Sequence, residues 1–92
     1  MNADIRANRA GVPFSLTQQT MPQLPNSCPI CGAEMRFRAS RRITPNLDRT
    51  IPAAGYVQGN VRWICASCNS VKSDRIINDD ELRLEIGRRL NP

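Results

Sequence analysis

Histidine is missing from all 92 residues, and lysine occurs once, at Lys72. The first absence removes imidazole as a proton-transfer group near neutral pH and as a metal ligand. Aromatic residues make up 4% of the chain. A chain this short buries a modest core, so a structural metal or another staple is expected to support one domain spanning 1–92. Long hydrophobic runs are missing too. None approaches the length of a membrane span, and the first residues carry no apolar segment of a secretory kind, so the expected compartment is reducing and cytoplasmic, with no membrane partner. Acidic residues are fewer than basic ones, 8 against 13, for a net charge of +5. Every basic residue but Lys72 is arginine. Arginine pairs bidentately with phosphate, and that balance favours a polyanionic partner, most simply nucleic acid; a soluble surface that is merely basic is an equal reading of charge alone.

Cysteine is present in a pattern. Cys28-Pro-Ile-Cys31 and Cys65-Ala-Ser-Cys68 are two CxxC pairs separated by residues 32–64. Each knuckle presents two sulfurs at one corner, and the spacer lets the second knuckle close a tetrahedral zinc site. Two disulfides are the alternative, which a reducing compartment disfavours.

In chain order, residues 2–10 read as a short helix capped by Asn2 and ended by Gly11. Val12 to Leu16 reads as an extended arm, and Thr17 to Leu24 as a short helical turn. Asn26 to Met35 carries the first knuckle, with Gly32 supplying the sharp turn. Met35 to Ala39 alternates apolar and basic residues, the period of a half-buried strand. Ser40 to Asn46 reads as a basic loop, Leu47 to Thr50 as a strand end, Pro52 to Gly59 as a glycine-bearing loop, and Asn60 to Ile64 as a strand. A helix is predicted over Cys68 to Ile77. Asn78 then caps a last helix with Asp79, Asp80 and Glu81 in its first turn and Arg88 and Arg89 in its last. Leu82, Ile86 and Leu90 form its buried stripe. The predicted class is a small α+β fold: a core of about 26–77, an N-terminal helix and arm over 1–25, and a C-terminal helix over 78–91.

The strand–loop–strand–helix unit over 46–74 can bring Asp48, at the end of one strand, over Asn69, at the start of the helix. A carboxylate and an amide oxygen are hard ligands that suit Mg²⁺ or Mn²⁺. Lys72 follows Asn69 by three residues and is placed to hold a phosphate. Arg36, Arg38, Arg41 and Arg42 form a dense basic cluster expected to face DNA, and Arg75 is grouped with Lys72 as a further contact. Simpler roles stand beside these: Asp48-Arg49 as a surface turn, Asn60 as a turn residue after Gly59, Asn69 as a helix cap.

Those residues resemble the HNH, or His-Me finger (ββα-metal), nuclease family, especially small phage-type members with a CxxC…CxxC pair. The family pattern of Asp-His, a glycine-bearing loop, Asn-Val and Cys-x-x-Cys-Asn-x-x-Lys is matched by Asp48-Arg49, Gly55 and Gly59, Asn60-Val61, and Cys65 to Lys72. The likeness extends to Gly11-Val-Pro-Phe-Ser-Leu16. It implies a phosphodiester-cleaving DNA endonuclease or nickase in a bacterial host cell, with a possible phage or host protein partner. In it Asp48 and Asn69 are ligands of a catalytic Mg²⁺ or Mn²⁺, Asn60 braces the loop, and Cys28, Cys31, Cys65 and Cys68 hold a structural zinc. One position departs from the family. Arg49 stands where the family has its catalytic histidine, and a guanidinium cannot act as a base. Arg49 would then clamp phosphate, with Tyr56, Asp74 or a metal-bound water as base. The alternative is a zinc-containing DNA-binding or adaptor protein without catalysis.

Overall fold

In a computed structural model, residues 11–38 and 40–90 are described; the helix expected over 2–10 and the side chain of Leu90 lie outside them. Strand β1 (Pro45–Arg49) pairs antiparallel with β2 (Val61–Cys65), and β2 runs directly into helix α1 (Ala66–Lys72). Helix α2 (Asp79–Leu90) closes the chain. Single 3₁₀ turns at Arg41–Ile43 and Pro52–Ala54 precede and follow β1.

The first knuckle forms as expected. Gly32, at φ +78°, donates its N–H to the Cys28 carbonyl at 2.9 Å, while the Cys28 N–H reaches the Ala33 carbonyl at 2.8 Å. The stretch after it corrects the sequence reading. Among the described residues 35–38 there is no strand. Arg38 takes a left-handed φ of +62°, which reverses the chain toward the Arg41–Ile43 turn and leaves the alternating pattern no ladder to join. Phe37, instead of filling a strand position, stands edge-on to Trp63 with ring centroids 6.3 Å apart.

Helix α1 begins and ends earlier than its expected 68–77 span. Cys65 leaves β2 as the N-cap, its Sγ accepting the Cys68 N–H at 3.5 Å, so one residue serves as strand end, cap and member of the cysteine cluster. Ser73, at φ +55°, stops the helix and returns its N–H to the Asn69 carbonyl at 2.9 Å. No glycine announces this stop, which is why the pattern reads through it. Arg75 then caps the freed end: Nε reaches the Lys72 carbonyl at 3.2 Å and NH2 the Val71 carbonyl at 2.8 Å. The start of α2 is as expected, with Asn78 Oδ1 accepting the Glu81 N–H at 2.8 Å.

Two apolar clusters flank the hairpin. On one side Leu82 and Ile86 of α2 bury against Ile64, Ile30 and the cysteines. On the other, Leu16 of the arm packs on Leu47 and Tyr56. The arm runs beside the loop through Tyr56 N–H to the Pro13 carbonyl at 2.8 Å and Ser15 N–H to the Tyr56 carbonyl at 3.0 Å. Gly55 makes that approach possible: at φ +80°, a Cβ there would lie 2.2 Å from the Pro13 carbonyl oxygen.

Candidate functional site

The four cysteine sulfurs all lie within 4.8 Å of one another. Cys28 Sγ is 3.8 Å from Cys68 Sγ, and Cys31 Sγ is 3.7 Å from Cys65 Sγ. Neither is a disulfide distance. Tetrahedral zinc with Zn–S bonds of about 2.3 Å places sulfurs about 3.8 Å apart, so the cluster fits a zinc site. Backbone N–H groups of Cys65 and Cys68 point at the Cys28 and Cys65 sulfurs, at 3.4 and 3.5 Å. The hydrogen bond shared with Cys68 pulls the Cys28 thiol down to about 4, and it pushes Cys68 upward together with burial. Burial raises Cys65. Without a cation four clustered thiolates would repel one another, so the cluster retains protons that a bound metal would displace.

The second site is polar. A pocket of about 80 Å³ is lined by Asp48, Arg49, Asn69 and Asp74, with Leu47, Pro52 and Ser73. Asp48 and Arg49 come from the end of β1, Asn69 from α1, and Ser73 and Asp74 from the turn that stops α1. Asp48 and Asn69 thus line one spot, as the 46–74 pattern predicts.

Asp48 is nearly inaccessible, at 2% exposure, and sits among cations. Oδ1 meets Lys72 Nζ at 3.0 Å, and Oδ2 accepts from Arg62 Nε at 3.2 Å. Arg62 lies directly across the hairpin from Asp48, and its other end reaches Asp79 at the start of α2, NH1 to Oδ2 at 2.9 Å. Asp79 is held below the ordinary carboxylate value, first by that hydrogen bond. Arg62 was not singled out in the sequence. Its signal is an opposite charge facing Asp48 in the ladder, readable only once the register is known.

Lys72 departs from its expected role. It is 1% exposed, and its ammonium serves Asp48 and the Arg49 carbonyl, the latter at 2.9 Å. It therefore neutralises the buried carboxylate and presents nothing to a phosphate. Arg75 likewise is spent on the end of α1 and on a two-pronged ion pair with Glu85. Arg36 pairs with Glu34 at 3.1 Å on the surface.

Arg49 lies over the Tyr56 ring, 5.0 Å from its centroid. Its NH1 donates to the Pro52 carbonyl at 3.0 Å and its NH2 to Asp74 Oδ1 at 3.2 Å. Tyr56 itself is buried, whereas the Asp74 side chain is 82% exposed. Asn60 braces the loop. Its Oδ1 accepts the Ile51 N–H at 2.9 Å, and its Nδ2 donates to the Ile51 and Gly55 carbonyls at 3.0 and 2.7 Å.

A two-stranded hairpin leading into a helix, with a four-cysteine cluster at the joint and a polar pocket at the strand end, defines a small α+β protein with a ββα core. Its fold is similar to that of the rare-cutting HNH restriction endonuclease PacI. The two superpose with a TM-score of 0.66 at 21% identity, over 95% of this chain and 70% of that one. No protein-family model matches the chain, and no curated protein does. Among the described residues no helix is long and apolar enough to cross a membrane.

Proposed function

We propose that the chain is an HNH-like nuclease that hydrolyses a phosphodiester of DNA, with the polar pocket as its active site. One observation carries this reading: Asp48, Arg49, Asn69 and Asp74 converge on one pocket at the strand–helix joint of a fold shared with an HNH endonuclease. The donor set supports a hard cation. Among the described residues each Asp48 oxygen has one cationic partner, which leaves a lone pair on each, and Asn69 adds an amide oxygen on the same pocket. Asp48 and Asn69 would hold Mg²⁺ or Mn²⁺, with waters and phosphate oxygens completing the shell. When bound, such an ion supplies Lewis acidity to the phosphoryl group and its leaving oxygen. The four cysteines hold zinc as a structural staple.

The chain's own residues do the rest. Arg49 lends its guanidinium charge to the phosphate as negative charge builds on it. Asp74, exposed and steered by Arg49, accepts the proton of the attacking water. Tyr56 supports Arg49 through its ring. With Asp74 in place of an imidazole as base, cleavage is slow compared with a histidine-bearing site.

A second reading has its own observation. Both Asp48 oxygens are already paired, to Lys72 and Arg62, in a buried setting. A carboxylate so compensated also suits a scaffold that binds DNA without cutting it.

Supercoiled plasmid nicking with added Mg²⁺ or Mn²⁺ separates the two. The nuclease reading expects nicking by the wild-type chain, at least tenfold weaker in Asn69→Ala and in Asp74→Ala at unchanged melting temperature. A chain that binds plasmid, leaves it intact with either ion and gains activity only as Arg49→His supports the binding scaffold instead.

A further inference from the structure

The described basic residues divide into two sets. Arg36, Arg49, Arg62, Lys72, Arg75 and Arg83 each have a carboxylate partner. Arg38, Arg41, Arg42, Arg88 and Arg89 have none among the described residues. Four of these five line one continuous depression. A groove of about 500 Å³ between α1, α2 and the 3₁₀ turn is lined by Arg41, Arg42 and Arg89, with Ser67 and Ser70 of α1. It shares Ser70, Val71 and Arg89 with a second groove of about 450 Å³ that adds Arg88 and Ser73. Ser73 in turn lines the polar pocket. Glu85 is the carboxylate in this depression, and Arg75 neutralises it.

From this partition we infer that the trough is a track for the sugar–phosphate backbone of one DNA strand, leading along α1 to the pocket. Arg41, Arg42, Arg88 and Arg89 contact its phosphates, and the Ser67 and Ser70 hydroxyls offer it neutral hydrogen bonds. The inference rests on the proposal that the chain acts on DNA, and it adds two residues of α2, Arg88 and Arg89, whose sequence position suggests only helix-dipole compensation. It also removes two expected contacts: Lys72 is buried against Asp48, and Arg75 is paired on the surface with Glu85. Unpaired guanidinium groups release condensed counterions from DNA, whereas groups already neutralised by carboxylates release few.

The test is the salt dependence of duplex binding, measured by fluorescence anisotropy on a labelled oligonucleotide without added divalent ion. The magnitude of the slope of log K against log salt falls by about 3.6 when all four arginines become glutamine, about 0.9 per lost phosphate contact. Arg41→Gln with Arg42→Gln, and Arg88→Gln with Arg89→Gln, each account for roughly half of that fall. Lysine at all four positions restores most of the slope, because a point charge suffices for a phosphate. Gln18→Glu with Gln19→Glu, at two exposed positions, matches the charge change of each arginine pair and controls for net charge. An unchanged slope in the glutamine variants at unchanged melting temperature overturns the track. So does an equal fall in the charge-matched variant, which would make net charge the cause. Plasmid nicking in parallel keeps the two proposals apart. An intact slope effect without cleavage fails only the nuclease, and cleavage with an unaffected slope fails only the track.

Discussion

Lys72 and Asp48 face each other at 3.0 Å, each side chain 2% exposed, and this buried pair explains why the one lysine of the chain stands where it does. Removing one member of a buried pair strands the other charge, at a cost of about 3–5 kcal/mol. Lys72→Met is therefore expected to lose stability on that scale in urea unfolding, because Arg62 alone remains to compensate Asp48. The double variant Asp48→Leu, Lys72→Met should recover much of the loss, since neither charge is left buried. A double variant no more stable than the sum of its singles would show that the pair is not coupled. The same logic governs the activity assay: loss of cleavage in Asp48→Ala alone mixes unfolding with chemistry, which is why Asn69 and Asp74 are the cleaner positions. Asn60 is a second case. Its side chain satisfies one N–H and two carbonyls of the loop, so Asn60→Ala should cost about 3 kcal/mol by leaving these groups unpaired. Asn60→Asp keeps the acceptor for Ile51 N–H but turns oxygens toward two carbonyls, and should be no better.

At the scale of elements, the hairpin, α1 and the first knuckle meet at one cluster of sulfurs. Cys65 ends β2 and caps α1, so metal removal should release both at once. A chelator is expected to abolish the α1 contribution to far-ultraviolet circular dichroism and lower the melting temperature. Metal analysis should give about one zinc per chain. A protein that keeps its melting temperature after losing all metal would refute the staple. Because the ligands bind as thiolates, acid competes with the metal and its release should rise as pH falls. The arm has its own hinge point at Gly55. Alanine there meets the Pro13 carbonyl at 2.2 Å and must also hold a left-handed φ, a strain of about 1–3 kcal/mol before any clash. Gly55→Ala should therefore free residues 11–16 to limited proteolysis while the metal site stays loaded.

Across the whole molecule, Arg62 ties the hairpin to α2 by joining Asp48 to Asp79. Arg62 holds Asp79 below its ordinary value of 3.8. A depressed carboxylate adds stability that is complete above that ordinary value and is lost as pH falls through the lower folded value. Stability should thus be insensitive to this pair from neutral pH down to about 4 and decline below it. Asp79 is 40% exposed in its side chain, so solvent weakens the effect. The difference between wild type and Asp79→Asn in acid-titrated thermal unfolding isolates it from metal release, which both share. A difference that grows toward neutral pH instead would contradict the pairing.

By itself the sequence determined the parts whose information is local. The CxxC spacing, the Gly32 turn, the Asn78 cap and the apolar positions Leu82 and Ile86 are each set within a few residues, by ligand geometry, φ freedom, capping and helical period. The order of strand, loop, strand and helix was readable for the same reason, and the hairpin-to-helix connection it implies brings Asp48 and Asn69 to one pocket. Tertiary structure alone decided how each charge is used. Lys72, Arg75 and Arg41 are equally cationic in sequence. Burial beside Asp48 consumes the first, and the open end of α1 with Glu85 consumes the second. The third is left facing a groove. The strand expected over 35–39 is not formed among the described residues 35–38, on the same principle: alternation favours a strand, but a strand also needs a partner, and the reversal at Arg38 takes the chain away from one. What a charge or an extended segment does depends on which distant group folding brings opposite it, and no local pattern contains that.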